Sequence, residues 1–393
     1  MFPKKNSKLN RFLITSFVKY LAVSITVVLI AIACAEEKKI DANIPKENQS
    51  LKKAFQKQFY IGTALGEVVI LETDTLSSKV LKSQFNSITP ENCMKWMFLE
   101  PEKGKFDFDT SDKFVELGTN NGMFVIGHNL VWHSQLSEWV SKIDNADELS
   151  NSLKNHIHTI VERYKGKIDG WDVVNEALNE DGTLRKSIFL EKLGDNYLVD
   201  SFKWAAEIDP NVELYYNDYN LCNSEKRAGA VALVKMLQEN GAKIDGIGMQ
   251  GHWNLETPSL EEIETSIVAY SQLGVKIMIT ELDITVLPNP WDLEGAEVSQ
   301  NFENSTTMNP YANGLPDSVA VKLATRYQDI FKLFKKHEDK ISRVTFWGIN
   351  DGQSWLNGWP IRGRTNYPLL FDRKNQPKAA YDSIMKVAKD TLL

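Results

Sequence analysis

The sequence predicts an α/β fold built as a single (β/α)8 TIM barrel, and three observations carry that expectation. From Phe59 onward, apolar runs of strand length alternate with longer amphipathic segments, and the alternation counts to eight. Nearly every run ends in polar or aromatic side chains: Glu91-Asn92, His128-Asn129, Asn175-Glu176, Asn217-Asp218, Gln250, Glu281 and Trp347. A barrel delivers all of these to one rim, the face where its sites are built. An open sheet gathers only a few, at its switch point, and often carries a Gly-rich phosphate loop. Neither G-x-G-x-x-G nor G-x-x-x-x-G-K occurs here.

The expected strands span residues 59–65, 87–89, 124–128, 170–175, 213–217, 246–250, 276–280 and 343–347. They are rich in Val and Ile and each precedes a helix-like stretch, which argues a parallel sheet with right-handed crossovers. The expected helices span 111–121, 147–164, 197–208, 224–240, 259–273, 318–337 and 379–392. Asp147 and Ser259 are candidate N-caps, and Glu262 completes a capping-box pattern with Ser259. Gly241 and Gly274 fall where helices should stop. Residues 287–316 stand apart: rich in Asn and Pro, with Trp291 and Tyr311, and without periodicity. A loop of this length is unusual unless functional. Because it follows the strand of Glu281, it is expected to lie over the rim and shape the cleft, the alternative being a tolerated surface excursion. No internal repeat is visible.

Composition excludes some classes. Of the 393 residues, 42% are hydrophobic and 25% charged, as in a globular protein with a large core. The net charge of −7, with no basic stripe outside the N-terminus, gives no footprint for nucleic acid. Lys4, Lys5, Lys8, Arg11 and Lys19 precede an uncharged run over 20–34, the pattern of an export signal over residues 1–34. Ala31-Ile32-Ala33-Cys34 resembles a bacterial lipoprotein signal in which Cys34 is lipidated, although Ala31 stands where Leu is preferred. Plain secretion, with cleavage near Ala33 or Ala35, is the alternative. Residues 35–54 read as a tether and 55–393 as the catalytic domain. The expectation is an exported monomer, lipid-anchored at a bacterial cell envelope, with no other membrane contact. Cys93 and Cys222 are expected as unpaired thiols. Without H-E-x-x-H or a Cys cluster, no metal is suggested, and no cofactor is expected.

Trp171 to Val174 reads as a short strand running into Asn175 and Glu176, and residues 279–283 repeat the form with Glu281. Two glutamates at the ends of nonadjacent parallel strands suit the paired-carboxylate chemistry of glycoside hydrolysis. Asp283 lies on the same side of an extended segment as Glu281, and His252 ends the preceding strand. A histidine between two carboxylates is held oriented and helps keep Glu281 ionised. Glu176 has apolar neighbours, Val174 and Ala177, and lies near the charge of Glu281. Both effects raise its pKa, as an acid/base catalyst requires.

Seven motifs occur together in order: Glu91-Asn92-Cys93-Met94-Lys95-Trp96, Gly127-His128-Asn129-Leu130-Val131-Trp132-His133, Trp171-Asp172-Val173-Val174-Asn175-Glu176, Tyr216-Asn217-Asp218-Tyr219-Asn220, Gly248-Met249-Gln250-Gly251-His252, Ile279-Thr280-Glu281-Leu282-Asp283 and Trp347-Gly348-Ile349-Asn350-Asp351. With them the chain resembles the glycoside hydrolase family 10 endo-β-1,4-xylanases over about residues 55–390. The resemblance implies a retaining double displacement on xylan or xylo-oligosaccharides, with Glu176 as acid/base and Glu281 as nucleophile. It implies that His252 and Asp283 tune the nucleophile and that Asn175 meets the 2-hydroxyl of the reacting sugar. Lys95, His128 and Gln250 would hold that ring, and Glu91, Asn92 and Gln135 the next sugar along. Trp347 and Trp355 would form the platform, with Trp132 as a floor and Tyr219 stacking on the leaving-group side.

Other readings stand beside these. Trp96 is expected in the barrel core, where Trp132 could also lie. His128 could be a satisfied core histidine, Asn217 and Asp218 could cap the next helix, and Asp172 could orient neighbours. His133 has no assigned role, and Arg362 and Arg364 are expected to pair with rim carboxylates rather than substrate. Two features depart from the family: Asn129 where Thr is frequent, and the length of the 287–316 loop. A related barrel glycosidase acting on β-glucan or mannan is the enzymatic alternative. A glycan-binding surface lipoprotein is the non-catalytic one, and it predicts loss of one or both glutamates, which are present. No separate carbohydrate-binding module is visible.

Overall fold

Eight parallel strands close into a ring in the computed structural model, which describes residues 50–290, 293, 295–303 and 305–390. The expected export signal (1–34) with Cys34, residues 35–49 of the expected tether, and Trp291 lie outside the described residues. The strands are β1 Tyr60–Leu65, β2 Ser87–Pro90, β3 Phe124–Trp132, β4 Gly170–Asn175, β5 Glu213–Asp218, β6 Gly246–Met249, β7 His252–Asn254, β8 Lys276–Thr285 and β9 Ile341–Phe346. β1 to β6 pair consecutively, β6 pairs β8, β8 pairs β9, and β9 returns to β1. β7 stands outside the ring and pairs only with the far end of β8, setting His252 opposite Asp283.

The strands are buried on both faces, as expected where helices cover a parallel sheet; all six residues of β4 are buried. Large and small residues alternate across neighbouring strands inside the barrel. A Cβ on Gly127 would lie 2.1 Å from the Trp171 ring, and one on Gly170 would lie 2.4 Å from Tyr215. Gly127→Ala therefore forces Trp171 from its place, an overpacking that costs about 1–3 kcal/mol. Below the rim, Ile126, Tyr215 and Met278 pack together in the core.

The covering helices form for legible reasons. Ala146–Tyr164 buries Leu149, Leu153, Ile157, Ile160, Val161 and Tyr164 along one stripe. Its cap is Asn145, whose side chain accepts from Glu148 N at 2.9 Å, and not the expected Asp147. Asp147 sits instead in the first turn, where a negative charge suits the helix dipole. The capping box at Ser259 forms as expected, with Ser259 N donating to Glu262 Oε2 at 2.7 Å. Thr75–Gln84 is a helix the sequence did not reveal, because Ser77 and Ser78 occupy its buried face and break the apolar stripe. Residues 51–54, expected as tether, belong to the folded body. Leu51–Ala54 is helical, Leu51 and Phe55 are fully buried, and Leu51 N donates to Gln84 Oε1 at 3.2 Å.

Register shifts shape the rim. The β3–β4 ladder slips between His128 and Val131, and the β8–β9 ladder slips between Ile279 and Leu282. Bulges of this kind re-aim side chains beside active sites, and the second one contains Glu281.

Candidate active site

Glu281 is 5% exposed and is bonded by two side chains, His252 and Asn217. His252 Nε2 lies 3.1 Å from its Oε2, while His252 Nδ1 lies 3.0 Å from Asp283 Oδ1. Asn217 Nδ2 donates to Glu281 Oε1 at 2.8 Å and to Asn175 Oδ1 at 2.8 Å. Thr280 Oγ1 donates to Asn217 Oδ1 at 2.6 Å, which fixes the amide's orientation. Burial alone would lower the pKa of His252. The Asp283 charge and hydrogen bond, with those of Glu281, override burial and push it up to about 10. Burial likewise would raise Glu281, but the His252 hydrogen bond, the His128 and His252 charges and the Asn217 bond bring it below the usual carboxylate value.

Glu176 has the same exposure and different company. Trp132 Nε1 donates to its Oε2 at 2.7 Å, and Gln250 Nε2 donates to its Oε1 at 2.8 Å. Its φ of 58° is left-handed, uncommon for a residue with a side chain and typical of a site that over-determines its geometry. Glu176 N donates to Asn217 O at 2.9 Å, which ties the turn to β5. Burial is the largest influence on this carboxyl and raises its pKa. The His133 charge and the Gln250 bond pull it down, Asp218 and Glu281 push it up, and the net shift is upward.

The remaining predicted residues surround this pair. His128 is 2% exposed, and its Nδ1 lies 2.8 Å from Asp172 Oδ2, so Asp172 orients the ring, as one reading expected. Lys95 Nζ donates to Asn92 Oδ1 at 3.0 Å and sits 5.0 Å from the centre of the Trp132 ring. Burial lowers the Lys95 pKa against the pull of Glu91, Glu281 and Glu176, and burial raises that of Glu91. Gln135 holds the neighbouring loop through its backbone carbonyl, which accepts from Met97 N at 3.1 Å. Trp347 stands edge-on to both His128 and His252. Trp355 Nε1 donates to Asp283 Oδ2 at 2.8 Å, and its ring stacks on Trp359 with centroids 4.4 Å apart. Trp96 is a core residue, stacked on His156 at 3.7 Å.

Tyr219 departs from the expectation. Its ring is 3% exposed, with Lys226 Nζ 3.6 Å from its centroid and Gly295 of the 287–316 loop packed against it. A ring so covered lines a wall and offers no open face to a sugar. Arg364 also departs: it donates to the backbone carbonyls of Pro288 and Trp359, at 3.0 and 3.1 Å, and not to carboxylates. Asn217 and Asp218 cap no helix. Asp218 is buried in an ion pair with Lys226 at 3.0 Å. Cys93 and Cys222 are free, each thiol pushed up to about 12 by burial.

The 287–316 loop does lie over the rim. Glu297 accepts from Arg185 Nη1 at 3.1 Å and from His133 Nε2 at 3.3 Å, and its carbonyl accepts from Trp359 Nε1 at 3.3 Å. A cleft of about 370 Å³ runs between this loop (Asn289, Pro290, Leu293) and His252, Trp253 and Asn220. Arg185, Glu297 and Trp359 were not singled out from the sequence. Arg185 sits in a turn after Glu176, and Glu297 looks like any surface carboxylate in a polar loop. Among the described residues no group of acidic, His and Cys side chains is arranged to hold a metal ion.

The sequence profile of Glycosyl hydrolase family 10 matches residues 50–387. The chain is 41% identical over 351 residues to endo-1,4-beta-xylanase A of Xylanibacter ruminicola, covering 88% of this chain and 95% of that protein. It is 40% identical over 345 residues to an endo-1,4-beta-xylanase of Geobacillus stearothermophilus, covering 86% and 98%. A solved GH10 endoxylanase from a sugarcane soil metagenome superposes with a TM-score of 0.83 at 44% identity, covering 86% of this chain and all of that one. The chain belongs to glycosyl hydrolase family 10.

Proposed function

We propose that this protein is an endo-β-1,4-xylanase that hydrolyses internal xylosidic bonds with retention of anomeric configuration. One observation carries the assignment of roles: two equally buried carboxyls share the rim, and only Glu281 is bridged by a histidine to a second carboxylate. Glu281, held ionised, attacks the anomeric carbon and forms a covalent glycosyl-enzyme. Glu176, held protonated, gives its proton to the departing glycosidic oxygen. Now ionised, Glu176 takes a proton from water, whose oxygen displaces Glu281 and restores both groups. Asn175, oriented by Asn217, is the residue to meet the 2-hydroxyl, a contact that strengthens in the transition state. His128, Lys95 and Gln250 hold the reacting ring; Glu91, Asn92 and Gln135 hold the next. Trp347 and Trp355 form the platform, whose flat faces suit xylose because that ring has no C6 arm. No cofactor enters this sequence of steps.

That the relatives above are xylanases supports the substrate. Product analysis of the mature protein on xylan, carboxymethylcellulose and mannan tests it, and preferential cleavage of either of the last two would overturn it. For the roles, Glu281→Ala supplied with azide should yield the α-glycosyl azide; a β-product would make the other carboxylate the nucleophile. We further propose export through residues 1–34 and anchoring by lipid on Cys34, on the motif Ala31-Ile32-Ala33-Cys34. Cys34→Ala should move the protein from the membrane fraction to the soluble one, and unchanged fractionation would reject anchoring.

A further inference from the structure

We propose that Glu297 is a positioning residue for the proton donor, holding Arg185 and His133 against the rim and fixing both the place and the charge surroundings of Glu176. The inference rests on Glu176 being that donor. Arg185 hydrogen-bonds along the turn that carries Glu176. Its Nε donates to Glu176 O at 3.1 Å, and its Nη2 donates to Leu178 O at 3.1 Å and to Tyr219 Oη at 2.5 Å. Nη1 donates to Glu297 Oε2 at 3.1 Å, the one carboxylate that Arg185 bonds among the described residues. Glu297 therefore supplies the counter-charge for a guanidinium whose side chain is 15% exposed.

His133 depends on the same carboxylate. Its Nε2 lies 3.3 Å from Glu297 Oε2, while its Nδ1 is buried with no partner among the described residues. Glu297 thus orients the ring and fixes its tautomer. His133 follows Trp132, which donates to Glu176 Oε2, so both arms of the clamp end beside the same carboxyl. The His133 bond, together with Ser299 N and the Arg185 charge, holds Glu297 at a pKa of about 2, ionised at any working pH.

The groups that face Glu176 come from β5 and β8, from the ends of β3 and β6, from the loop after β2 and from the turn after Glu176 itself. Glu281 and Asp218 are negative; Arg185 and Lys95 are the cationic side; Gln250 and Trp132 are neutral donors, with the His133 ring beside them. Asp218 is already engaged by Lys226 at 3.0 Å and is not free to replace Glu297. Removing the charge of Glu297 leaves the cations beside Glu176 uncompensated, which favours its ionised form. Because the donor must be protonated, activity then ends at lower pH.

The test is the alkaline limb of kcat/KM on a xylo-oligosaccharide, measured with thermal unfolding for the wild type, Glu297→Gln, Glu297→Asp and Glu176→Ala. Glu297→Gln should move the limb toward acid by roughly half a unit to one unit, a loss of about three- to tenfold on the alkaline side. Glu297→Asp, which keeps the charge, should recover part of the shift. A lower unfolding temperature in Glu297→Gln with an unmoved limb means a merely structural loop contact and overturns the proposal. If the limb survives in Glu176→Ala, the assignment of Glu176 fails and the proposal with it; loss of the limb there upholds Glu176 whatever Glu297→Gln shows.

Discussion

Glu176 and Glu281 differ in company and hardly at all in depth. Each is 5% exposed, and at each the largest influence is burial, which raises a carboxyl pKa. At Glu176 the bonded partners are neutral, Trp132 and Gln250, and burial prevails. At Glu281 one partner is a histidine whose own proton is held by Asp283 up to a pKa of about 10, and burial is overruled. One cationic partner, anchored by a carboxylate behind it, separates a proton donor from a nucleophile on the same rim.

The comparison is most severely strained by deleting each carboxylate in turn. Glu281→Ala should reduce xylan hydrolysis by roughly 10⁴-fold or more on every substrate, because no group replaces the nucleophile. Glu176→Ala should be comparably poor on xylan yet retain much of its first-step rate on an aryl xyloside whose leaving group needs no proton. Equal losses on both substrates would remove the distinction. Next in size is Asp283→Asn, which keeps a hydrogen-bond acceptor for Trp355 Nε1 and removes the charge behind His252. A loss of about 10²- to 10³-fold is expected. The acid limb should move upward, since Glu281 is ionised less readily beside a weaker imidazolium. An acid limb that stays in place would show that Asp283 has no electrostatic hold on Glu281.

Much of this was legible in the chain. The barrel follows from strands that end in chemistry, and the trio of His252, Glu281 and Asp283 follows from side chains two apart on an extended segment. What the sequence hid depends on contacts between distant elements. Asn217 donates to two residues on opposite sides of β5, which needs β4 and β8 both in place. Arg185 and Glu297 meet across 112 residues and belong to no periodic pattern. Tyr219 reads as an open platform until Gly295 and Lys226 are seen to cover it. The helix Thr75–Gln84 is masked by serines on its buried face, since periodicity reads hydropathy and these hydroxyls satisfy themselves locally.

A smaller effect tests the Glu176 side. Trp132→Phe keeps a flat apolar ring and removes the Nε1 donor that favours the ionised form of Glu176. The alkaline limb should therefore move to higher pH, opposite in sign to Glu297→Gln, with a loss in kcat of about tenfold. Movement in the same direction for both would mean that packing, not charge, governs the donor.

The smallest effect is on stability, and its sign differs between the two carboxyls. Glu176 has a folded pKa above its unfolded value, so what it contributes is present below the unfolded value and lost as pH rises through the folded one. Glu281 has a lowered folded pKa; its contribution is present above the unfolded value and lost as pH falls through the folded one. His252, raised to about 10, contributes fully below its unfolded value of about 6.5 and loses that contribution as pH rises through about 10. Above the folded pKa of Glu176 and below about 10, Glu281 and His252 are therefore both stabilising and Glu176 is not. Glu176→Gln, nearly isosteric and unable to ionise, should raise the unfolding temperature in that range by a degree or two, about 1 kcal/mol. Glu281→Gln leaves the charged His252 with one carboxylate fewer and should lower it by a similar amount. Calorimetry of the two variants beside the wild type reads the difference directly, and shifts of the same sign would mean that the carboxyls are held in equivalent settings.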